Sequence, residues 1–462
     1  MAEKIMKIYN SLSNQKEIFT PRVAGEVGLY VCGQTVYDLC HMGHARTMVA
    51  FDVVVRHLRS MDYKVTYVRN ITDIDDKIIN RANENGEAFN ELTERMITIM
   101  HEDEAALNLL LVDHEPRATA NIQQIINLIS TLMDKGIAYQ TDNGDVLFEV
   151  EKFPSYGKLS NKDLEGQEAG SRVSIGSQKK HPFDFVLWKP AKADEPSWDS
   201  PWGKGRPGWH IECSAMAKDC LGDHFDIHAG GFDLQFPHHE NEIAQSEAAT
   251  GKTFATYWMH SGFLNINNEK MSKSLDNFFT IRDVLKEYDA EVLRYFLITS
   301  HYRSQLNYST DNLDAAKRSL TRLYQALSSL DVDRNFKPEP DNAYVERYNA
   351  VMNDDFNTPE ALSVMFDLAR EINRCKQQEK ACVLEVNTLV FLGERLGLLH
   401  QLPEAFLKGR KDEKEIIDEL VSKRNQARAD KEWALADTLR EQLTERGVEI
   451  LDGAQGTTWR KK

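Results

Sequence analysis

One loop near the N-terminus constrains the fold of this chain more than any other stretch. It runs from Cys32 to His44 and follows a short apolar run, 27–31, that is typical of a buried strand. After the loop, apolar residues recur at steps of three and four, which predicts an amphipathic helix carrying Met48, Phe51, Val55 and Leu58. A strand, a tight loop and a helix in this order form the place where α/β sheets bind phosphates, because free N–H groups and the helix dipole favour an anion there.

The loop contains a His-x-Gly-His pattern formed by His41, Gly43 and His44. Gly43 lets the backbone approach a ligand, and two imidazoles can donate hydrogen bonds to phosphate oxygens without burying a permanent charge. By itself the pattern is weak and favours two histidines that merely cap a helix. A lysine-rich segment much later in the chain, KMSKS at 270–274, favours phosphate binding, because two ammonium groups can neutralise the charge that builds on a triphosphate.

Length and composition describe an ordinary globular protein of several domains. A chain of 462 residues, 41% hydrophobic and 28% charged, is long for one core, so we expect roughly two to four domains. It has no apolar run long enough to cross a membrane and no signal-peptide core near its N-terminus, so we expect a cytoplasmic location.

Six cysteines are too few for a disulfide scaffold and suit metal or thiol roles. The net charge of −16 excludes non-specific electrostatic binding to polynucleotides, so any RNA must be recognised by its shape and at specific sites.

The order of predicted elements indicates an α/β fold: a doubly wound parallel (Rossmann-type) sheet with an insertion, followed by a helical bundle and a small C-terminal domain. A second strand over 64–71 completes a βαβ unit, and the sheet resumes at 225–231. Between them, 137–150 predict a hairpin with an Asn143-Gly144 turn. Beyond Thr280 the sequence predicts helices throughout. The predicted boundaries are 1–115 and 206–250 for the two halves of the sheet, 116–205 for the insertion, 251–315 for the region with the lysine-rich segment, 316–402 for the bundle and 403–462 for the C-terminal domain.

Soft and borderline metal ligands collect in two later segments, GWHIEC at 208–213 and GGFDLQFPHHENE at 230–242. If a helix begins after Pro237, His238 and Glu242 share one face of it. A cysteine in the first segment and Cys32, at the ligand-binding end of the first strand, could add thiolates. The residues alone leave open both a zinc site and a histidine-rich helix start with structural cysteines. The candidate ligands are Cys32, Cys213, His238 and Glu242, with His210 and His239 as rivals.

Taken together, these motifs resemble the cysteinyl-tRNA synthetase family of class I aminoacyl-tRNA synthetases. The resemblance rests on the 32–44 loop, RNITDIDDK at 69–77, the two metal-ligand segments and KMSKS, and it runs essentially end to end, including GTTW at 456–459. Met42 stands where the class usually has Ile. The resemblance implies a monomeric ligase that joins L-cysteine to tRNA(Cys) through a cysteinyl-adenylate, with ATP and magnesium expected and with neither DNA nor a membrane as a partner.

The resemblance also implies roles for particular residues. One zinc ion per chain would be held by Cys32, Cys213, His238 and Glu242. Catalysis maps onto His41, His44, Lys270 and Lys273, and ATP binding also involves Gly43, Gly230, Gly231 and Asp233. The cysteine pocket is expected at Gly33, Thr72 and Trp209, although Trp209 is equally compatible with a core role.

A metal would account for selectivity towards cysteine. Cysteine and serine differ by one atom, and a packing pocket separates near-isosteres by only about 10- to 200-fold. Zinc prefers thiolate to alcohol oxygen, and its coordination deprotonates the thiol. We therefore expect the substrate side chain itself to bind the metal. We expect no editing domain, and the insertion at 116–205 is small for one.

The C-terminal third is expected to recognise tRNA. Trp433 offers an aromatic platform for an unstacked anticodon base, and Asp437 offers an acceptor for base-edge donors. Arg424 and Arg428 precede them on the same predicted helical hairpin and suit phosphates. A tryptophan packed inside a small helical hairpin is the alternative interpretation.

Two other functions would share part of this pattern. A ligase that activates cysteine but transfers it to an amino-sugar, as in mycothiol biosynthesis, shares the catalytic core and zinc site but lacks the bundle and the C-terminal unit. A catalytically silent RNA-binding relative would not need His41, His44, Lys270 and Lys273 intact. Cysteine-dependent ATP–pyrophosphate exchange, measured with and without tRNA charging, separates the three.

Overall fold

The computed structural model describes the backbone of residues 5–161, 178–193, 195–266, 269–270, 279–339, 341–408, 411–453 and 456–461. The chain divides into two units, the first made of Met1–Leu313 and Asn349–Ala361, and the second of Asp314–Tyr348 and Leu362–Lys462. In the part of the chain described here, no helix is both long and apolar enough to cross a membrane.

Fifteen strands are described. They are β1 Lys7–Asn10, β2 Gln15–Ile18, β3 Glu26–Val31, β4 Lys64–Arg69, β5 Ala138–Gln140, β6 Val146–Phe148, β7 Phe185–Pro190, β8 Gly205–Pro207, β9 Phe225–Gly231, β10 Ala255–Ser261, β11 Leu264–Ile266, β12 Glu269–Lys270, β13 Leu306–Tyr308, β14 Val448–Gly453 and β15 Gly456–Lys461.

Fifteen α-helices are described. They are α1 Met42–Ser60, α2 Asp76–Asn85, α3 Phe89–Ala106, α4 Ile122–Asp134, α5 Trp209–Leu221, α6 Glu240–Thr250, α7 Ile281–Leu285, α8 Ala290–Leu297, α9 Thr310–Leu327, α10 Ala343–Met352, α11 Thr358–Gln377, α12 Val383–Arg395, α13 Pro403–Lys408, α14 Lys411–Ala429 and α15 Trp433–Glu445. Short 3₁₀ turns cover Ala118–Asn121, Val150–Lys152 and Phe232–Leu234, and a π-type turn covers Gln235–His239.

A four-stranded parallel sheet organises the first unit. Its strands lie in the order β10-β9-β3-β4, and every neighbouring pair is parallel. The apolar side chains of β3 are buried on both faces, as a parallel sheet covered by helices requires. The structure confirms the predicted α/β fold, including the strand that precedes the loop from Cys32 to His44, which we call the first signature loop, and the helix that follows it.

An antiparallel sheet, β5-β6-β7-β8, lies between the two halves of the central sheet in sequence. Its apolar face packs with α4 in a cluster that includes Ile129, Phe148 and Trp188. The predicted hairpin is confirmed, because β5 and β6 pair antiparallel. Gly144, in the turn, has a φ of 91°, a conformation that favours glycine.

The expectation that the chain is helical throughout beyond Thr280 is wrong. Strand β13 pairs in parallel with β11, and β14 and β15 form an antiparallel hairpin near the C-terminus. Strand β13 has only three residues and exists because a distant strand pairs with it, so local periodicity could not reveal it. The β14-β15 hairpin could have been predicted from the sequence, because apolar residues alternate along β14. In the structure, Ile450 lies opposite Trp459.

In the second unit, α14 and α15 pack with the β14-β15 hairpin around a small core. The core contains Ile417, Val421, Leu443, Val448 and Trp459. The indole Nε1 of Trp459 donates a hydrogen bond to Asp418 Oδ1 at 2.6 Å. Residues 349–361, which fall inside the predicted bundle of 316–402, group with the first unit. The six domain ranges stay predictions.

Candidate active site and metal centre

The first signature loop leaves the central sheet at the carboxyl end of β3 and enters α1. His41 caps this helix: its Nδ1 accepts the N–H of Gly43 at 3.0 Å and that of His44 at 3.3 Å, and His44 Nδ1 accepts the His41 N–H at 3.2 Å. The two imidazole rings stack with centroids 3.6 Å apart. Burial, with smaller effects of His41 and Lys77, lowers the pKa of His44 well below its ordinary value. The histidines therefore cap the helix and also stand, with His44 neutral, at its N-terminus.

A cleft of about 430 Å³ opens beside this loop. Among the residues predicted to bind ligands, its lining includes Cys32, Gly33, His41, Gly43, His44, Trp209, Gly231 and Asp233, whereas Thr72 and Gly230 lie outside that lining. Sequence reasoning did not assign roles to Arg69, Lys77 and Phe232, which also line the cleft. Arg69 is buried, and its guanidinium pairs with Glu104 at 2.6 Å. Arg69 and Lys77 are the first and last residues of the 69–77 motif, which was used for the family resemblance without assigning a role to either side chain.

The chain that follows the lysine-rich segment returns to the first signature loop. Phe279 O accepts the Met42 N–H at 3.2 Å, and Cys40 O accepts the Ile281 N–H at 2.9 Å. The two signature regions are thus joined by backbone hydrogen bonds despite their separation in sequence. Lys270 ends β12, but its side chain and all of residues 271–278, including Lys273, lie outside the described residues. The roles of both lysines stay predictions.

The structure brings together the four residues predicted to hold zinc. Cys32, Cys213, His238 and Glu242 are buried and offer ligand atoms that all lie within 4.8 Å of one another. Glu242 Oε1 is 3.4 Å from Cys32 Sγ and 3.1 Å from His238 Nε2. Two sulfurs, an imidazole and a carboxylate match the number and type of ligands that zinc takes in proteins. Since burying such groups without a partner is unfavourable, the donor set fits a bound cation.

The electrostatics of this cluster favour anionic ligands. A hydrogen bond from Cys32 lowers the pKa of Cys213 to about 6 despite burial, whereas burial raises the pKa of Cys32 well above its ordinary value. Burial also acts to raise the pKa of Glu242, but the attraction of His228 and His238 outweighs it and holds that pKa well below the ordinary value. The surroundings therefore favour the anionic forms of Cys213 and Glu242.

His228, on β9, is a member of this centre that sequence reasoning missed. Its Nε2 lies 2.8 Å from Glu242 Oε2, and its fully buried ring stacks on Trp258 with centroids 4.4 Å apart. The contact leaves the other oxygen of Glu242 facing Cys32 and His238. The only sequence signal was its position inside a strand buried on both faces, where a polar side chain requires a partner.

The two rival histidines also lie close to the predicted ligands. His210 Nδ1 is 2.8 Å from His238 Nδ1. His239 forms a second group of possible ligands with Cys32, His228 and Glu242, and its Nδ1 lies 2.9 Å from His260 Nε2. Of the two rivals, only His239 lies within a described group of ligand atoms.

The buried side-chain amide of Asn70 links two of the residues predicted to form the cysteine pocket, Gly33 and Thr72. Asn70 Oδ1 accepts the Gly33 N–H at 2.8 Å, and Asn70 Nδ2 donates to Thr72 Oγ1 at 3.3 Å. A Cβ on Gly33 would lie 1.7 Å from the Asn70 carbonyl oxygen, so this position requires glycine. Trp209, the first residue of α5, is 40% exposed with its ring 4.4 Å from that of His238. That exposure is inconsistent with a core role.

Two glycines that are predicted to bind ATP, Gly230 and Gly231, end β9. A Cβ on Gly230 would lie 2.9 Å from the His239 ring, and one on Gly231 would lie 2.5 Å from Asp233 Oδ1. Both positions therefore allow close packing that a larger residue would prevent.

Comparison with known proteins gives matches along most of the chain. Residues 18–318 match the family described as tRNA synthetases class I (C) catalytic domain, residues 347–400 match the DALR domain, and residues 410–460 match the cysteinyl-tRNA ligase anticodon binding domain. A Vibrio parahaemolyticus protein named cysteine–tRNA ligase is 59% identical over 462 residues, which cover 99% of this chain and 100% of that protein. A Legionella pneumophila protein of the same name is 58% identical over 459 residues, covering 99% of both.

The chain belongs to the cysteine–tRNA ligase family.

Membership in the cysteine–tRNA ligase family confirms the resemblance drawn from the motifs and the assignment of the chain as an enzyme. Similar solved structures include Mycobacterium tuberculosis methionyl-tRNA synthetase in complex with methionyl-adenylate, with a TM-score of 0.56, 16% identity, and coverage of 80% of this chain and 89% of that one. Another is the LeuRS–tRNA–LeuAMS ternary complex of Agrobacterium radiobacter K84, with a TM-score of 0.57, 10% identity, and coverage of 82% and 84%. At such identities these structures show the fold alone, which is that of the class I catalytic domain.

The residues predicted to contact tRNA lie in the segment that matches the anticodon binding domain of the cysteine–tRNA ligase family. Arg428, Trp433 and Asp437 are exposed, and the 60% exposure of Trp433 excludes the alternative of a packed core tryptophan. Arg424 is only 5% exposed. It follows Ile417 and Val421 at helical spacing, so it lies on the inward face of α14. Its burial disfavours the predicted phosphate contact.

Proposed function

We propose that this chain joins L-cysteine to tRNA(Cys) through a cysteinyl-adenylate, with a zinc ion at Cys32, Cys213, His238 and Glu242 that selects cysteine over serine. One observation carries the proposal. Cys32 belongs both to the cluster of metal ligands and to the lining of the cleft that contains His41 and His44. An amino acid whose sulfur is held near Cys32 would therefore have its carboxylate in the compartment where the phosphates are expected.

The two histidines suit phosphate binding because of how they cap α1. In each ring Nδ1 accepts a backbone N–H, so a neutral imidazole must carry its proton on Nε2. An Nε2–H can donate to a phosphate oxygen, while the positive end of the helix dipole attracts the anion. Because burial holds the pKa of His44 well below its ordinary value, that ring would act as a hydrogen-bond donor and not as a counter-charge.

The reaction would proceed in two transfers without a protein nucleophile. The carboxylate of cysteine attacks the α-phosphorus of ATP, which forms the adenylate and releases pyrophosphate. A hydroxyl of the terminal tRNA ribose then attacks the activated carbonyl, which forms the ester and releases AMP. The protein would contribute positioning and charge stabilisation, with Lys270, Lys273 and ATP-bound magnesium neutralising the charge on the phosphates.

The cysteine pocket would combine a metal with a rigid backbone. When bound, zinc would supply a Lewis acid that prefers a thiolate to an alcohol oxygen. Gly33 and Thr72, both fixed by Asn70, would position the rest of the amino acid, and Trp209 would cover it. In the C-terminal segment, Arg428 would contact phosphate, and Trp433 and Asp437 would contact anticodon bases.

Pyrophosphate exchange followed by tRNA charging tests the proposal. Zinc-containing enzyme should catalyse ATP–pyrophosphate exchange that depends on cysteine and not on serine, and it should charge tRNA(Cys). Lys273→Ala should slow exchange while leaving cysteine binding nearly intact, whereas the control Lys286→Ala, at an exposed lysine directly after α7, should change neither. Equal exchange with serine, or full exchange by Lys273→Ala, would contradict the proposal. Exchange without charging would point to another acceptor, such as an amino-sugar.

A further inference from the structure

A turn of the insertion packs directly against the helix that carries the predicted metal ligands. Glu240, the first residue of α6, is fully buried. Its Oε1 accepts the N–H of Gly157 at 2.9 Å, and its Oε2 accepts those of Leu159 at 3.1 Å and Ser160 at 2.9 Å. A buried carboxylate is unfavourable unless its oxygens are satisfied, and these backbone donors satisfy both.

Further contacts extend this packing to either side of Glu240. The hydroxyl of Tyr156 donates to Asn241 Oδ1, and Gln235 Nε2 donates to Leu159 O at 3.1 Å. About two turns further along α6, Glu247 pairs with Lys158 at 2.5 Å. Residues 156–160 therefore contact the chain both before His238 and after Glu242.

The backbone just before α6 is not a regular helix. Residues 235–239 form a π-type turn, and Phe236 within it has φ −141° and ψ 131°. This break in regular conformation lies two residues before His238, so the orientation of the turn that carries His238 depends on outside contacts as well as on helical hydrogen bonding. The contacts of Glu240, midway between His238 and Glu242 in sequence, are in the right place to fix that orientation.

We propose that Glu240 is a positioning residue for the metal centre: by holding residues 157–160 against the first turn of α6, it fixes His238 and Glu242 in the geometry that binds zinc. The inference rests on the proposed function, because it assumes that zinc binds at these residues. It assigns to the insertion a part in forming the cysteine-selective site, through a residue that touches neither metal nor substrate.

The substitution Glu240→Gln tests this role. It replaces one acceptor oxygen with an NH₂ group that faces backbone N–H donors while keeping the shape of the side chain. We expect the full-length variant to bind zinc about 10- to 100-fold more weakly than the wild type, as measured by competition with a chromogenic chelator. Cobalt-substituted variant should also show a changed visible absorption spectrum, which a purely structural role would not produce.

Asp184→Asn is the matched control. Asp184 is another buried carboxylate, and it accepts the N–H groups of Val150 and His181 and the hydroxyl of Tyr139, all within the insertion. The same change of charge there should leave zinc affinity and the cobalt spectrum as in the wild type. Tyr156→Phe, which removes one contact to α6 and keeps Glu240, should weaken zinc binding by about threefold.

The outcomes separate the inference from the proposed function. If the wild type binds no zinc, the proposed function fails. If the wild type binds zinc and Glu240→Gln binds it equally well, Glu240 does not position the centre. If Glu240→Gln does not fold, Tyr156→Phe decides, and wild-type zinc affinity and cobalt spectrum in that variant would overturn the inference.

Discussion

Replacing Arg294 with methionine should destabilise the first unit strongly. Arg294, on α8, forms a fully buried ion pair with Asp52 on α1, the helix that begins at the first signature loop, and it also donates to Leu107 O at 3.0 Å. Removing one partner of a buried pair typically costs about 3–5 kcal/mol, because the other charge stays buried. Asp52 keeps Arg56 Nε at 2.7 Å and the Leu110 N–H at 2.7 Å, so we expect a loss at the lower end of that range. A loss of about 3 kcal/mol is a change of roughly 150-fold in the unfolding equilibrium.

Urea unfolding followed by tryptophan fluorescence measures this loss. Five of the seven tryptophans lie in the first unit, namely Trp188, Trp198, Trp202, Trp209 and Trp258. Burial raises the pKa of Asp52, but Arg294 and Arg56 outweigh it and lower that pKa below its ordinary value. The stability due to the pair is therefore fully present above the unfolded pKa of about 3.9 and is lost as the pH falls through the folded pKa.

The exposed pair Lys16–Asp354, with side chains 36% and 54% exposed, provides the control. Lys16→Met should cost at most about 1 kcal/mol, because solvent screens the interaction. If Arg294→Met costs no more than Lys16→Met at pH 7, the reasoning from burial is refuted.

Three further changes have expected outcomes. Gly33→Ala should lower cysteine-dependent exchange by about 100-fold, because its Cβ would displace the Asn70 backbone and shift the pocket; exchange within threefold of wild type would contradict this. His228→Phe should weaken zinc binding by about 10- to 100-fold in chelator competition, because Glu242 loses the partner that orients it, and unchanged affinity would show that the contact is dispensable. Trp433→Ala should raise the KM for tRNA by about 5- to 150-fold, the loss of one stacked base, with pyrophosphate exchange unaffected; normal charging kinetics would exclude Trp433 as a base platform.

Local periodicity was sufficient to predict β3, α1 and the 138–148 hairpin, because these elements are defined by their own residues. The meeting of Cys32 and Cys213 was different, since spacing alone leaves them far apart. It depends on tertiary packing: β9 lies beside β3, and α5, which carries Cys213 and precedes β9 in the chain, packs so that Cys213 and Cys32 share one buried cluster. Residue type and spacing suggested these ligands together with His238 and Glu242, and the family resemblance favoured this set over the rival histidines.

What could not be predicted depends on tertiary contacts. The role of His228 can be assigned only from its contact with Glu242, which lies on another element. Strand β13 forms only because β11 pairs with it. Arg424 was predictable in principle, because Ile417 and Val421 define the buried face on which it lies. The charge of Arg424 suggested an exposed residue that contacts phosphate, but its position on the helix places it on the buried face.

X-ray absorption at the zinc edge, before and after adding substrate, shows which atoms bind the metal. We expect the active enzyme to contain zinc with two sulfur ligands, from Cys32 and Cys213. Adding L-cysteine should bring one more sulfur to the metal, and adding L-serine should change nothing. Active enzyme without zinc, or a zinc environment unchanged by cysteine, would contradict this expectation.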